Sequence, residues 1–215
     1  MAKLKAGVLI SGRGSNLLAL LEACAATDFP AEIALVVSNR AEAGGLAHAA
    51  RFGVPTKVVP HRDFADRESF DRAVSTALEA AGVELVCLAG FMRIFSPWFP
   101  ARWANRIINI HPSLLPSFKG LHVQQQAIDA GVRVSGATVH LVTNDLDGGP
   151  IVAQAAVPVH PSDSVATLTA RILEAEHALY PLVLRWFGER RVRIAQTNRV
   201  IIDGIAPDGA LLWRP

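Results

Sequence analysis

Cysteine is scarce in this chain of 215 residues: there are two, Cys24 and Cys87, far apart and in apolar surroundings. Neither belongs to a Cys-x-x-Cys pair, which excludes a disulfide scaffold and a thiol redox motif; free buried thiols in a reducing compartment, the cytoplasm, are expected. Long apolar runs are missing too. No stretch approaches the roughly 18 residues of a membrane-spanning helix. The apolar run Ala6 to Ile10 stops at Ser11 without the cleavage site of a secretory leader. An excess of one charge is also lacking, since 21 Lys and Arg face 19 Asp and Glu for a formal +2. The densest basic cluster, Arg190, Arg191 and Arg193, is small enough to be a solvated face, so neither nucleic acid nor a membrane is an expected partner. The seven histidines show no zinc-site spacing, and no metal is expected. No internal repeat, low-complexity segment or linker interrupts the chain, and one domain over 1–215 is expected.

What is present is an ordinary supply of core-forming residues, 51% hydrophobic against 19% charged, with 16 Gly and 13 Pro as punctuation. Lys5 to Ile10, Glu32 to Val37, Thr56 to Val59, Leu85 to Leu88 and Arg106 to Ile110 read as short apolar strands. Between them lie helical patterns: Leu17, Leu18, Leu20 and Leu21 up to about Ala26, Ala43 to Phe52 ended by Gly53, and Asp66 to Ala81. Strands apolar on both sides and separated by helices predict a doubly wound, mostly parallel α/β sheet with helices on both faces. Ligands of such sheets gather at the carboxyl ends of the strands. Further on, Val134 to Val142 and Ile151 to Val157 read as paired strands joined by a polar turn. A long helix spans about Ser164 to Phe187, with Asp163 or Ser162 as its N-cap. The tail, Val192 to Trp213, alternates weakly around Asp203-Gly204 and Asp208-Gly209 and predicts a hairpin.

The loop Ser11-Gly12-Arg13-Gly14-Ser15-Asn16 joins the first strand to the first helix. Two glycines allow a sharp turn and present amide N–H groups at the positive end of a helix, an arrangement that binds phosphate. Ser15 and Asn16 add a hydroxyl and an amide, and Ser15 is also a candidate cap. A dinucleotide fingerprint is weak here, because its third glycine position is Leu17 and no acidic residue closes the second strand at Val37-Ser38-Asn39-Arg40. A Walker A loop is excluded by the lack of Gly-Lys-Ser/Thr. A monophosphate is the expected ligand; the alternative is a tight turn that binds nothing.

Asn109 and His111 stand two apart at a strand end, so their side chains share a face, while Ile110 points into the core. Pro112 holds His111 extended. An amide beside an imidazole suits acyl transfer to an amine: the amide donates to the oxyanion of a tetrahedral intermediate, and a protonated imidazole does the same and assists proton movement. The turn Asn144-Asp145-Leu146-Asp147-Gly148-Gly149-Pro150 is rich in residues with unusual backbone freedom. A carboxylate there, Asp147 before Asp145, could pair with His111 and favour its charged form. A plain surface turn, its aspartate capping local amides, stays equally open.

Together these motifs resemble the glycinamide ribonucleotide formyltransferases of the folate-dependent formyltransferase family, over nearly the whole chain. The resemblance is carried by Ile10-Ser11-Gly12-x-Gly14-Ser15-Asn16-Leu17, by Leu88-Ala89-Gly90-Phe91-Met92-Arg93-Ile94 and by Asn109 to Pro116. Gly120-Leu121-His122, Val139-His140, Leu146 to Pro150 and Glu176-His177 with Tyr180-Pro181 complete it. It implies a Rossmann-like formyltransferase fold and transfer of a formyl group from 10-formyltetrahydrofolate, as co-substrate, to the amine of a phosphorylated ribosyl glycinamide in purine synthesis. It implies catalytic Asn109, His111 and Asp147, with Asp147 keeping His111 protonated. The substrate phosphate would sit on Gly14, Ser15 and Asn16, Glu176 would meet the ribose or glycinamide end, and Gly90 would allow a close backbone approach to ligand. The folate would lie along Met92, Arg93, Ile94 and Phe95 and along Thr143, Asn144, Asp145, Leu146 and Asp147, with Arg67 near its glutamate tail. The N-terminal half would bind substrate phosphate and the C-terminal half folate. Where many relatives carry glutamine this chain has Leu173, and Ser117-Phe118-Lys119 also departs from the family pattern.

Two rival activities share the central motifs. A hydrolase of the same folate usually carries an added N-terminal domain, whereas here the chain opens at the strand before the glycine loop. A methionyl-tRNA formyltransferase usually adds a C-terminal domain and a basic face. Transfer to the small amine is the expectation, and a homodimer stays open.

Overall fold

The computed structural model describes residues 2–197 and 199–213. It divides into two compact units, Met1–Asn109 and Ile110–Pro215. The first unit is built from repeated strand–helix steps: β1 (Leu4–Ile10), α1 (Ser15–Cys24), β2 (Ala31–Ser38), α2 (Gly45–Arg51), β3 (Thr56–Val58), α3 (Arg67–Ala80), β4 (Leu85–Leu88), α4 (Trp98–Arg102) and the start of β5 (Ile107–His111). All its strand pairs are parallel. β1 lies between β2 and β4, β3 flanks β2, and β5 flanks β4 with Leu88 opposite Asn109. Val8, Leu9 and Ile10, Val36 and Val37, Val86 and Cys87 are fully buried, as strands covered on both faces require. Leu17 and Leu20 of α1 and Val74 and Leu78 of α3 are fully buried too; each fully buried side chain of this size contributes about 1.5–3 kcal/mol. Asp66 caps α3 by accepting the Ser69 N–H at 2.7 Å.

The second unit continues through α5 (Val123–Asp129), β6 (Val134–Leu141), β7 (Ile151–Pro158), α6 (Val165–Gly188), β8 (Val192–Ile194), β9 (Val200–Ile202) and β10 (Leu211–Trp213). β6 and β7 form the expected antiparallel pair, with a register shift between Val139 and His140. α6 packs on both strands and buries Leu168, Ile172, Leu179, Val183 and Leu184 at helical spacing.

Three expectations are corrected. α6 is capped by Ser164, not by Asp163 or Ser162: Ser164 Oγ accepts the Thr167 N–H and Thr167 Oγ1 accepts the Ser164 N–H, a reciprocal pair. Asp163 instead holds Arg171 through two hydrogen bonds of 2.7 and 2.9 Å. The hairpin of the tail is β8 with β9, closed by Ala195 N–H donating to Arg199 O at 2.8 Å rather than turning around Asp203-Gly204, and β10 leaves it to pair in parallel with β7. Ser15 is not a cap but the first residue of α1; the cap position is Gly14, and no side chain caps that helix. α4 and α5 also lack side-chain caps, so neither carries the start signal that marks α3 and α6.

Candidate active site

The glycine loop of the first unit is shaped by backbone. Gly14 takes left-handed angles (φ 78°), and a Cβ there would come within 2.6 Å of Gly45 Cα, so a side chain is excluded twice over. The close neighbour exists because α2 starts against this loop, with Gly45 N–H donating to Gly12 O at 3.1 Å. Without a side-chain cap, the first-turn N–H groups of α1 stay available to an anion. Ser15 is partly exposed at that end and Asn16 is buried.

Ser11, one residue before the glycines, accepts the Met92 N–H at 2.8 Å through its hydroxyl. This ties the loop to the segment after β4. Gly90 turns there with φ 73°, and no atom lies within 4 Å of where its Cβ would stand, so backbone angle rather than crowding by protein demands glycine. Beyond it, residues 91–96 form neither helix nor strand. Phe91 and Phe95 turn inward and stack on each other at 5.4 Å, Arg93 is partly buried, and Met92 and Ile94 point outward, 66% and 63% exposed. Arg67 is exposed at the first position of α3, where the helix dipole disfavours a cation and an anionic partner would relieve it.

In the second unit, β5 ends at His111, 5% exposed. Its Nε2 lies 2.9 Å from Phe118 O; a carbonyl only accepts, so this nitrogen carries a proton. The same carbonyl takes the Ser113 hydroxyl at 3.0 Å, which fixes the loop after the strand. Thr138 Oγ1 adds a second brace, donating to Ser113 O at 2.7 Å and accepting the Leu115 N–H at 3.0 Å. The other imidazole nitrogen, Nδ1, faces Asp147 Oδ2 at 3.6 Å. Asn109 precedes His111 by two positions on the same strand and is less buried.

Asp147 projects from the turn between β6 and β7 with its own backbone left-handed, φ 47°. Gly149 makes the turn tight, since a Cβ there would fall 1.9 Å from Leu141 O. Gly120 N–H donates to Asp147 Oδ2 at 3.0 Å and aims the carboxylate. Its other oxygen lies 3.8 Å from His140 Nε2. His140 is 2% exposed and sits at the register shift of β6, a device that re-aims side chains beside functional sites. Burial pushes its pKa below the ordinary 6.5, against the pulls of the Leu141 carbonyl and the Asp147 charge. Thr143, Asn144, Asp145 and Leu146 form the exposed rim of this turn. Glu176 is buried on α6.

The expected pairing of His111 with Asp147 is therefore present as geometry. Two neighbours of the pair were given no role from sequence. His140, the penultimate residue of β6, entered only through the family motif Val139-His140. Phe118 contributes only its carbonyl, so side-chain identity cannot flag it. Among the described residues no group of three or more His, Cys, Asp or Glu could hold a metal ion, and no helix is long and apolar enough to cross a membrane.

Residues 4–184 match the model of the formyl transferase family, and the chain belongs to that family. Within it, the chain is 45% identical over 202 residues to the phosphoribosylglycinamide formyltransferase of Haemophilus influenzae, covering 94% of this chain and 95% of that protein. It is 48% identical over 198 residues to the trifunctional purine biosynthetic protein adenosine-3 of Gallus gallus, covering 92% of this chain and 20% of that one, so it spans about a fifth of that relative. The crystal structure of phosphoribosylglycinamide formyltransferase from Anaplasma phagocytophilum superposes with a TM-score of 0.91 at 45% identity, covering 99% of this chain and 100% of that one. This bears out the Rossmann-like, mostly parallel fold and the family resemblance read from the sequence.

Proposed function

We propose that the chain transfers the formyl group of 10-formyltetrahydrofolate to the amine of glycinamide ribonucleotide, in the cytoplasm, as a step of purine synthesis. The observation that carries this reading is the buried cluster in which one carboxylate, Asp147, faces His111 at 3.6 Å and His140 at 3.8 Å. Burial pushes the pKa of His140 down, and by the family resemblance His111 is the imidazole assigned the positive charge, with Asp147 as its counter-ion. The amine lone pair attacks the formyl carbon, and the new C–N bond forms as the carbonyl electrons move to oxygen. Asn109 and the charged His111 stabilise that oxyanion, each such donor being worth about 2.7–4 kcal/mol. Collapse of the intermediate breaks the bond to the folate nitrogen, which takes up the proton that the amine gives away.

The remaining assignments follow the family resemblance and the local geometry. Gly14, Ser15 and Asn16 receive the substrate phosphate at the uncapped start of α1, and Glu176 meets the ribose or glycinamide end. Met92 and Ile94 present an apolar edge beside the open space at Gly90, backed by Arg93 and Phe95 and suited to a flat ring system. Thr143 to Asp147 complete the folate contacts, and Arg67 meets the carboxylates of its tail. The test is to incubate the protein with 10-formyltetrahydrofolate, with and without glycinamide ribonucleotide, and follow tetrahydrofolate release. Release that depends on the amine is expected; equal release without it would identify a hydrolase and overturn the proposal.

A further inference from the structure

The segment after β4 is held at two points, and only the first belongs to the glycine loop. The second is Ser96, whose backbone N–H and hydroxyl both donate to Asp71 Oδ2, at 2.6 and 2.7 Å. Asp71 belongs to α3 and is 1% exposed. A buried carboxylate is costly, and burial indeed pushes its pKa above the usual carboxylate range, with the Ser96 hydrogen bonds and the charge of Arg93 pulling back and Glu68 pushing further up. An apolar residue would fill this face of α3, beside Phe70, Val74 and Leu78, without that cost. The carboxylate adds direction: it fixes two donors of one residue.

We infer that Asp71 is a positioning residue for the formyl donor, acting through Ser96 to fix the register of Met92 to Phe95. Between the two anchors the residues alternate, Phe91, Arg93 and Phe95 turned in and Met92 and Ile94 turned out. A slip of one residue would exchange the two sets, burying Met92 and Ile94 and exposing the phenylalanines. The Phe91–Phe95 stack extends to Phe70 on α3 and to Phe99 on α4, which stabilises the seated segment but, being non-directional, does not select one register. The Asp71–Ser96 pair does. It also lies one helical turn beyond Arg67, so the surface assigned to the ring system and the cation assigned to the tail are fixed to the same helix.

This inference rests on the assignment of the donor to Met92–Phe95, and the experiment separates the two. In steady-state assays and in calorimetric titrations with tetrahydrofolate, Asp71→Ala is expected to raise the donor KM and the tetrahydrofolate Kd about tenfold, with kcat and the KM for the amine little changed. Asp71→Asn, which keeps an acceptor oxygen, should recover most of the loss. Ser96→Ala, a milder change that leaves the carboxylate in place, covers the case in which Asp71→Ala does not fold; it should raise the donor KM alone, and the double variant should be no worse than Asp71→Ala. Unchanged donor affinity in Ser96→Ala or in a folded Asp71→Ala, or equal changes in both KM values, would overturn the inference. Ile94→Asp is the control for the underlying assignment: if it leaves donor binding intact, the segment is not a donor surface; if it weakens binding while the Asp71 and Ser96 variants do not, only the role of Asp71 fails.

Discussion

The two compact units present their candidate residues in different ways. In Met1–Asn109 the groups offered to a ligand are mostly main-chain. They are the uncapped start of α1 behind the left-handed Gly14 and the open backbone at Gly90, the latter on a segment tied down by the N–H groups of Met92 and Ser96. In Ile110–Pro215 they are side chains, His111, His140 and Asp147, buried and aimed by a loop carbonyl, a strand irregularity and a tight turn. The difference teaches where each region is vulnerable. A main-chain site survives most side-chain changes but not a change of backbone shape. A buried charge cluster keeps its shape under isosteric substitution but not its charge.

The largest expected effect tests the second half of that statement. Asp147→Asn preserves volume, and its amide oxygen can still accept the Gly120 N–H, but it removes the negative charge facing His111. Turnover should fall about 10²–10³-fold, the range for losing one oxyanion-stabilising interaction, with the KM for the amine nearly unchanged. Steady-state kinetics on the purified variant decide it; wild-type turnover would remove Asp147 from the mechanism.

Gly14→Ala tests the first half. The left-handed backbone costs a residue with a Cβ about 1–2 kcal/mol, and the added methyl group meets Gly45 Cα at 2.6 Å. Lower thermal stability and a raised KM for the phosphorylated amine are expected, with the donor KM unchanged. Inorganic phosphate should stabilise the wild type more than the variant. Equal stabilisation of both would place the phosphate elsewhere.

A smaller effect follows from His140. Its folded pKa lies below 6.5, so on acidification the unfolded chain takes up this proton before the folded protein does. Stability from this group is fully present above pH 6.5 and is lost as the pH falls from there to the folded value, at a slope of at most about 1.4 kcal/mol per pH unit. In His140→Gln, denaturant unfolding measured at several pH values should show a shallower loss below pH 6.5, whatever the variant's absolute stability. An unchanged slope would mean that His140 is charged in the folded protein.

The same contrast explains what could be read in advance. The parallel half was legible because buried strands are unbroken apolar runs and Gly12-x-Gly14 is a local backbone signal. Asn109 and His111 were legible as a pair because strand alternation puts them on one face, whereas the Gly-Gly-Pro turn left Asp147 and a plain surface turn equally open until the family resemblance was added. What stayed hidden is long-range and non-periodic. Asp71 looks like any helix carboxylate until Ser96, 25 residues away, is seen to bond it. Phe118 acts through an atom every residue possesses. His140 is aimed by an irregularity in pairing with a distant strand, and no local pattern in β6 encodes that.

The start of α6 is the counterpart to that of α1 and gives the smallest expected effect. Ser162, Asp163 and Ser164 are all capping residues by type; geometry assigns the helix to Ser164 and the arginine to Asp163. A helix start whose N–H groups are satisfied by its own side chains has nothing to offer an anion, whereas one left uncapped behind glycine does. Ser164→Ala should therefore cost stability alone, about 1 kcal/mol, seen in a calorimetric scan as a Tm lower by about 2–4 °C, with every kinetic constant unchanged. If the substitution also raised the KM for the phosphorylated amine, a capped helix start would be serving the ligand, and the division between structural and ligand-facing helix ends would not hold.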